Sequence, residues 1–282
     1  MTYTTVIRAE DLHAHIDDAD LVVVDCRFTL TDPNAGQRAY DEGHIPGARY
    51  LHLDDDLAAP VTEKTGRHPL PDPEVLARKL GDLGIDNNTQ VVAYDDTFGA
   101  MASRLWWLLR WMGHNEVALL DGGLPAWVRK KLPLSTETPA IEKKTFVPSM
   151  RDDMVVDMPA VQAIVAKRKK IIIDARAEER FTGEVEPLDK VAGHIPGALN
   201  LPYEDNLDLD GTFMSREEIV DLYHDFLGDK SGNDVVMMCG SGVTACHNLV
   251  AMEIAGLKGA KLYAGSWSEW ITNPDNPVET GE

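Results

Sequence analysis

A short motif occurs twice in this chain, and that repetition limits what it can fold into. Gly43-His44-Ile45-Pro46-Gly47-Ala48 returns as Gly193-His194-Ile195-Pro196-Gly197-Ala198. Val23-Val24-Asp25-Cys26-Arg27 returns as Ile172-Ile173-Asp174-Ala175-Arg176, and Val91-Val92-Ala93-Tyr94 as Val235-Val236-Met237-Met238. Gly122-Gly123-Leu124-Pro125-Ala126-Trp127 aligns with Gly265-Ser266-Trp267-Ser268-Glu269-Trp270. In chain order the offsets run 149, 150, 144 and 143 and the order of motifs is kept, so one fold is present twice, with small deletions in the second copy. Half of 282 residues is an ordinary domain, large enough to bury its own core.

Each half alternates short apolar runs with helical periodicity, the pattern of an α/β fold with mainly parallel sheets and right-handed crossovers. Residues 21–25, 90–94 and 117–120 read as strands in the first half; 170–174, 235–238 and 260–263 do so in the second. Residues 73–83 read as a helix capped by Asp72 and stopped at Gly84. Helices are also expected over 100–112, 216–226 and 243–255, with Ser215 and Glu218 as a capping box. The reading is a domain over 1–131, a linker over 132–150 and a second domain over 151–282.

On this alignment Asp95 occupies the place of Cys239, so one copy carries a nucleophile and the other does not. Cys239 follows a buried-strand pattern and enters the small-residue loop Gly240-Ser241-Gly242-Val243-Thr244-Ala245 before an apolar helix. Backbone N–H groups in such a loop, at a helix N-terminus, can converge on one point and stabilise a thiolate and an adjacent anion. The competing reading is a buried packing cysteine. Cys26 and Cys246 fit packing; Cys246, about two helical turns after Cys239, could also serve as a resolving thiol. Three cysteines make no disulfide framework, and no metal-ligand spacing occurs, so no metal is expected.

A net charge of −20 argues against nucleic acid or an anionic membrane as partner. No apolar run reaches the ~18 residues of a membrane span, and the acidic N-terminal stretch does not resemble a signal peptide, so a cytoplasmic protein is expected.

Taken together, the paired Gly-His-Ile-Pro-Gly-Ala motifs, Arg104-Leu-Trp-Trp, Asp121-Gly-Gly-Leu-Pro-Ala-Trp127, Gly265-Ser-Trp-Ser-Glu-Trp270 and the Cys239 loop resemble the two-domain rhodanese-like sulfurtransferases over nearly the whole chain. The resemblance implies two tandem rhodanese-like domains, the amino-terminal one inactive. The neutral Gly240 and Ser241 look like the loop of 3-mercaptopyruvate sulfurtransferases, whereas thiosulfate-using rhodaneses carry basic residues there. Arg180 matches an arginine that contacts the anionic donor. A second arginine, common a few residues on, is replaced here by Leu188 in Pro187-Leu188-Asp189. The resemblance also implies a Ser241–His68–Asp56 relay, against the plainer reading of His68 as a loop histidine. His44 and His194, Asp25 and Asp174, and Arg27 and Arg176 recur in both copies, including the one without chemistry, and are read as structural.

The implied cycle has the Cys239 thiolate take sulfur from 3-mercaptopyruvate, or alternatively from thiosulfate, as a persulfide. A thiol or cyanide acceptor, including a thioredoxin-like protein, then removes the outer sulfur, and this cycle implies no cofactor. Arg180 orients the donor, and the amides of Gly240, Gly242, Val243, Thr244 and Ala245 hold the charge. A cysteine phosphatase would need an arginine six residues after the nucleophile, where Ala245 stands. A persulfide carrier with little turnover is the non-enzymatic alternative.

Overall fold

Two five-stranded parallel sheets with the same strand order form the chain. The computed structural model describes residues 2–281. The first sheet contains β1 (Val6–Ile7), β2 (Leu21–Asp25), β3 (Arg49–Tyr50), β4 (Gln90–Tyr94) and β5 (Val117–Leu120), ordered β1-β5-β4-β2-β3. The second contains β6 (Val155–Val156), β7 (Ile171–Asp174), β8 (Leu199–Asn200), β9 (Val235–Met238) and β10 (Lys261–Tyr263), ordered β6-β10-β9-β7-β8. All pairings between these strands are parallel. The helices are α1 (Ala9–Ala14), α2 (Ala35–Glu42), α3 (Pro73–Asp82), α4 (Ala102–Trp111) and α5 (Gly123–Arg129) in the first half. The second half has α6 (Met158–Lys167), α7 (Glu178–Thr182), α8 (Arg216–Leu227), α9 (Ala245–Ala255) and α10 (Ser266–Trp270).

The chain divides into two compact units. Unit 1 is residues 1–59, 70–151 and 208–213; unit 2 is residues 60–69, 152–207 and 214–282. Residues 132–150 run along unit 1. Ser135 and His44 exchange backbone hydrogen bonds, Lys144 N–H donates to Gly81 and Ser149 N–H to Met112. Residues 60–69, which precede α3 in sequence, belong to unit 2, and this placement matters for the site.

Local chemistry accounts for the elements. Asp72 caps α3 through the N–H groups of Glu74 and Val75, with Pro73 at the first helical position. Ser215 and Glu218 close a capping box on α8. The central strands β4 and β9 are almost wholly buried, as expected of parallel strands covered on both faces. Trp127 in unit 1 and Trp267 and Trp270 in unit 2 anchor the respective cores, each burying a large apolar area.

The repeated polar motifs hold the fold. Arg27 grips Asp25 through Nε and Nη2 and donates to the Gly43 carbonyl at 2.8 Å; Arg176 does the same with Asp174 and Gly193, also at 2.8 Å. His44 stacks on Tyr40 and His194 on Phe181, with ring centroids 4.0 and 3.8 Å apart. These pairs tie each strand end to its Gly-His-Ile-Pro-Gly turn, which explains their presence in both copies.

Candidate active site

Cys239 is the first residue after β9, a strand flanked by β10 and β7. It therefore stands at the carboxyl edge of a parallel sheet, where open α/β folds present their ligands. The start of α10 holds its backbone. Cys239 N–H donates to Ser266 Oγ at 3.1 Å, Trp267 N–H donates to the Cys239 carbonyl at 3.0 Å, and Ser268 N–H donates to the Gly240 carbonyl at 2.9 Å. Ser266 adopts φ +55°, a region uncommon for non-glycine residues. Its hydroxyl, which also donates to the Tyr263 carbonyl at 2.9 Å, gives the reason for a serine there.

The loop then turns about the sulfur. Gly242 N–H donates to Cys239 Sγ at 3.2 Å. Gly242 has φ +77°, and a Cβ there would lie 2.3 Å from the Ala264 carbonyl oxygen, so only glycine fits. Val243 accepts from Cys246 N–H at 3.0 Å, Thr244 is the N-cap residue of α9 and Ala245 opens that helix. The Cys246 thiol donates to the Gly242 carbonyl at 3.4 Å, bracing the loop from the helix side. Cys239 itself is 2% exposed.

Ser241 and His68 meet. Ser241 Oγ and His68 Nδ1 are 2.7 Å apart, and both residues are buried within unit 2. Asp56 lies in unit 1, where it accepts from His52 N–H at 2.8 Å and from the Lys79 ammonium at 2.5 Å. Its carboxylate thus caps a turn and pairs with α3.

Arg180, on α7, is not a lone cation. It makes a forked pair with Glu186, with Nη2 at 2.9 and 3.0 Å from the two carboxylate oxygens, and reaches Asp189 at 3.1 Å. Glu186 also accepts from the N–H groups of Leu188 and Asp189 and from Arg176. Burial pushes the Glu186 carboxyl up, but these donors outweigh it and hold it below the usual carboxylate range. Asp189 moves the other way. Burial raises it, and the nearby Glu186 charge adds to the rise against the pull of Arg67 and Arg180.

Three participants escaped the sequence reading. Arg67 pairs with Asp189, and Glu186 and Asp189 supply the counter-charges. A side-chain carbon built on Gly240 would lie 2.7 Å from Arg67 Nη2 and 3.5 Å from Arg180 Nη1. The neutral Gly240 and Ser241, read as a loop without basic residues, do not describe the charge around Cys239 in full. The loop sequence is neutral, but two guanidinium groups face it. Arg67's position next to His68 was the available signal.

The chain is thus a tandem α/β protein in which one parallel-sheet loop carries a cysteine at the carboxyl edge and its counterpart carries an aspartate. A sequence profile described as the rhodanese-like domain matches residues 8–130 and 158–273, and the chain belongs to that family. It is an enzyme with sulfurtransferase activity. A Pseudomonas aeruginosa protein named "Probable 3-mercaptopyruvate sulfurtransferase" is 47% identical, covering 100% of both chains. A Mycobacterium tuberculosis protein named for thiosulfate sulfurtransferase activity is 39% identical over 98% of this chain and 97% of its own. A crystal structure of an Escherichia coli protein, titled for the rhodanese fold and mechanism of 3-mercaptopyruvate sulfotransferases, superposes with a TM-score of 0.82. It is 32% identical and covers 95% of this chain and 100% of its own. Among the described residues no helix is long and apolar enough to cross a membrane.

Proposed function

We propose that this chain transfers the sulfur of 3-mercaptopyruvate, through a persulfide on Cys239, to a small thiol, a thioredoxin-like protein or cyanide. The observation carrying this reading is the Cys239 loop with Arg180 beside it: a sulfur receiving a backbone N–H at 3.2 Å, and a cation one residue away. In the first half-reaction the Cys239 thiolate attacks the donor's sulfur. An S–S bond forms, the donor's C–S bond breaks, and its electron pair leaves on the carbon as the enolate of pyruvate. The proton from the donor's thiol ends on that carbon. The Ser241–His68 pair, 2.7 Å apart, is suited to carry it. In the second half-reaction an acceptor thiolate or cyanide bonds to the outer sulfur and returns the electron pair to Cys239. The Gly242 N–H stabilises the anionic sulfur in between.

Thiosulfate as donor is the second reading, favoured by the two guanidinium groups at Gly240, since a compact dianion gains from paired cations. Asp189 and Glu186 offset that charge and favour the monoanion. The test is kcat/KM for both donors under one acceptor. The expected result is a higher value for 3-mercaptopyruvate; a higher value for thiosulfate makes the chain a thiosulfate enzyme.

A further inference from the structure

We propose that Arg67, from the segment 60–69, forms with Arg180 a two-guanidinium clamp for the donor's anionic end, and that Asp189 is the internal carboxylate occupying this clamp until the donor displaces it. The inference deepens the functional reading above and rests on it for the choice of donor.

The geometry is specific to these three side chains. Asp189 bridges the two arginines, with Oδ1 paired to Arg67 Nη1 and Oδ2 to Arg180 Nη2 at 3.1 Å. Arg67 thus commits Nη1 to Asp189 and turns Nη2 toward Gly240, while Arg180 holds Asp189 and Glu186 through Nη2 with both of its terminal nitrogens near Gly240. Arg67 Nη2 and Arg180 Nη1 stand 2.7 and 3.5 Å from the point where a Gly240 side chain would begin. That point is one residue from the sulfur. Arg67 Nε is buried without a hydrogen-bond partner, so this guanidinium has donor capacity left over.

Arg67 is also held in place. Its N–H donates to Ser268 Oγ at 3.1 Å. Gly66 is pressed so closely on α10 that a Cβ would lie 2.5 Å from the Gly265 carbonyl oxygen. The same turn of α10 that fixes the Cys239 backbone therefore fixes Arg67. A planar guanidinium anchored in this way suits recognition of a planar carboxylate by paired hydrogen bonds.

Charge decides which partner is displaced. Arg67, Arg176 and Arg180 face Asp174, Glu186 and Asp189, so the cluster is balanced before any donor arrives. Asp174 is locked by the fork of Arg176. Glu186 is held by two arginines and two backbone N–H groups. Asp189 has only the two clamp arginines, and burial already favours its neutral form. It is the carboxylate that a donor can replace at least cost.

The experiment compares 3-mercaptopyruvate with mercaptoacetone, which keeps the keto-thiol and lacks the carboxylate. Arg67→Ala should raise KM for 3-mercaptopyruvate about ten- to a hundredfold, leave kcat within a few-fold, and leave KM for mercaptoacetone unchanged. Arg67→Lys should recover part of the loss. Asp189→Asn, which removes the internal competitor, should lower KM for 3-mercaptopyruvate. Equal losses on both donors, or no change on either, would overturn the clamp. If the wild type turns over thiosulfate but not 3-mercaptopyruvate, the donor reading alone fails. A raised KM for thiosulfate in Arg67→Ala then still supports the clamp, and an unchanged one overturns it.

Discussion

The loop after β4 and the loop after β9 are two versions of one structure, and they differ in what fills them. Both start at the carboxyl end of a central parallel strand and end at a buried helix. Both are hooked by the same backbone bond: Leu124 N–H donates to the Asp95 carbonyl at 2.8 Å, and Trp267 N–H to the Cys239 carbonyl at 3.0 Å. In unit 1 the Asp95 carboxylate collects four N–H groups, from Thr97 and Gly99 at 2.8 Å and from Met101 and Ala102 at 2.7 Å. In unit 2 the sulfur receives Gly242 N–H at 3.2 Å. A strand-loop-helix turn of this kind is built to hold an anion. Unit 1 fills the cradle with the Asp95 carboxyl group and closes it; unit 2 places there the Cys239 sulfur, the group proposed as the nucleophile.

Removing the two central residues should give losses of different kinds. Cys239→Ser should lower sulfur transfer by about a thousandfold or more with little change in melting temperature. Cys246→Ser and Cys26→Ser should keep most of the activity under the same assay. A comparable loss in Cys246→Ser would give the two cysteines of unit 2 a shared role and weaken the contrast.

Asp95→Ala should leave the chemistry in place and cost stability, by about 3 kcal/mol or more, since four N–H groups lose their acceptor together. Denaturant melts measure this, and an unchanged midpoint would show that the carboxylate is not what holds the loop. The cost has a pH signature. Burial raises the Asp95 carboxyl against the opposing backbone donors, so the folded chain binds this proton more tightly than the unfolded chain. Its contribution is complete below the unfolded value near ~3.9 and declines as pH rises through the raised folded value. Asp95→Asn should remove that slope, giving wild type and variant stability curves that diverge as pH rises from the acid side.

A smaller effect separates the hooks. Position 266 in unit 2 corresponds to Gly123 in unit 1, and both have positive φ, +55° and +59°. Gly123 needs only the backbone, while Ser266 adds an acceptor for Cys239 N–H. Ser266→Ala should cost about 1–2 kcal/mol and slow transfer several-fold, because it removes that acceptor. Ser266→Gly should recover backbone freedom without the hydroxyl, so its stability should lie above that of the alanine variant while transfer stays slow. Equal transfer in both variants and the wild type would show that the hydroxyl does not position Cys239.

Much of this contrast was legible in the residues. The repeat fixed the equivalence of Asp95 and Cys239, and the apolar runs of β4 and β9 gave those strands their observed limits. The two-residue edge strands β1, β3, β6 and β8 were not legible, because two residues show no period. Helices α4 and α9 begin two residues later than periodicity suggests, because the preceding residues are spent on the loop cradles. Cys239, Ser241 and His68 were readable from motif position, and the structure brings the last two within 2.7 Å. Arg67 had one signal, its place beside His68, and it went unread because nothing in residues 60–69 announces that they join unit 2. Glu186 and Asp189 escaped for a related reason: a carboxylate's partners are set by tertiary packing rather than by spacing.

The central claim is that one loop carries sulfur and the other cannot. Mass spectrometry of the intact protein and its peptides after a single turnover with 3-mercaptopyruvate, without acceptor, tests it most directly. One added sulfur per chain, on the peptide containing Cys239 and matched by one pyruvate released, is the predicted result. Added sulfur on Cys246 or Cys26, or pyruvate released from Cys239→Ser, would contradict it.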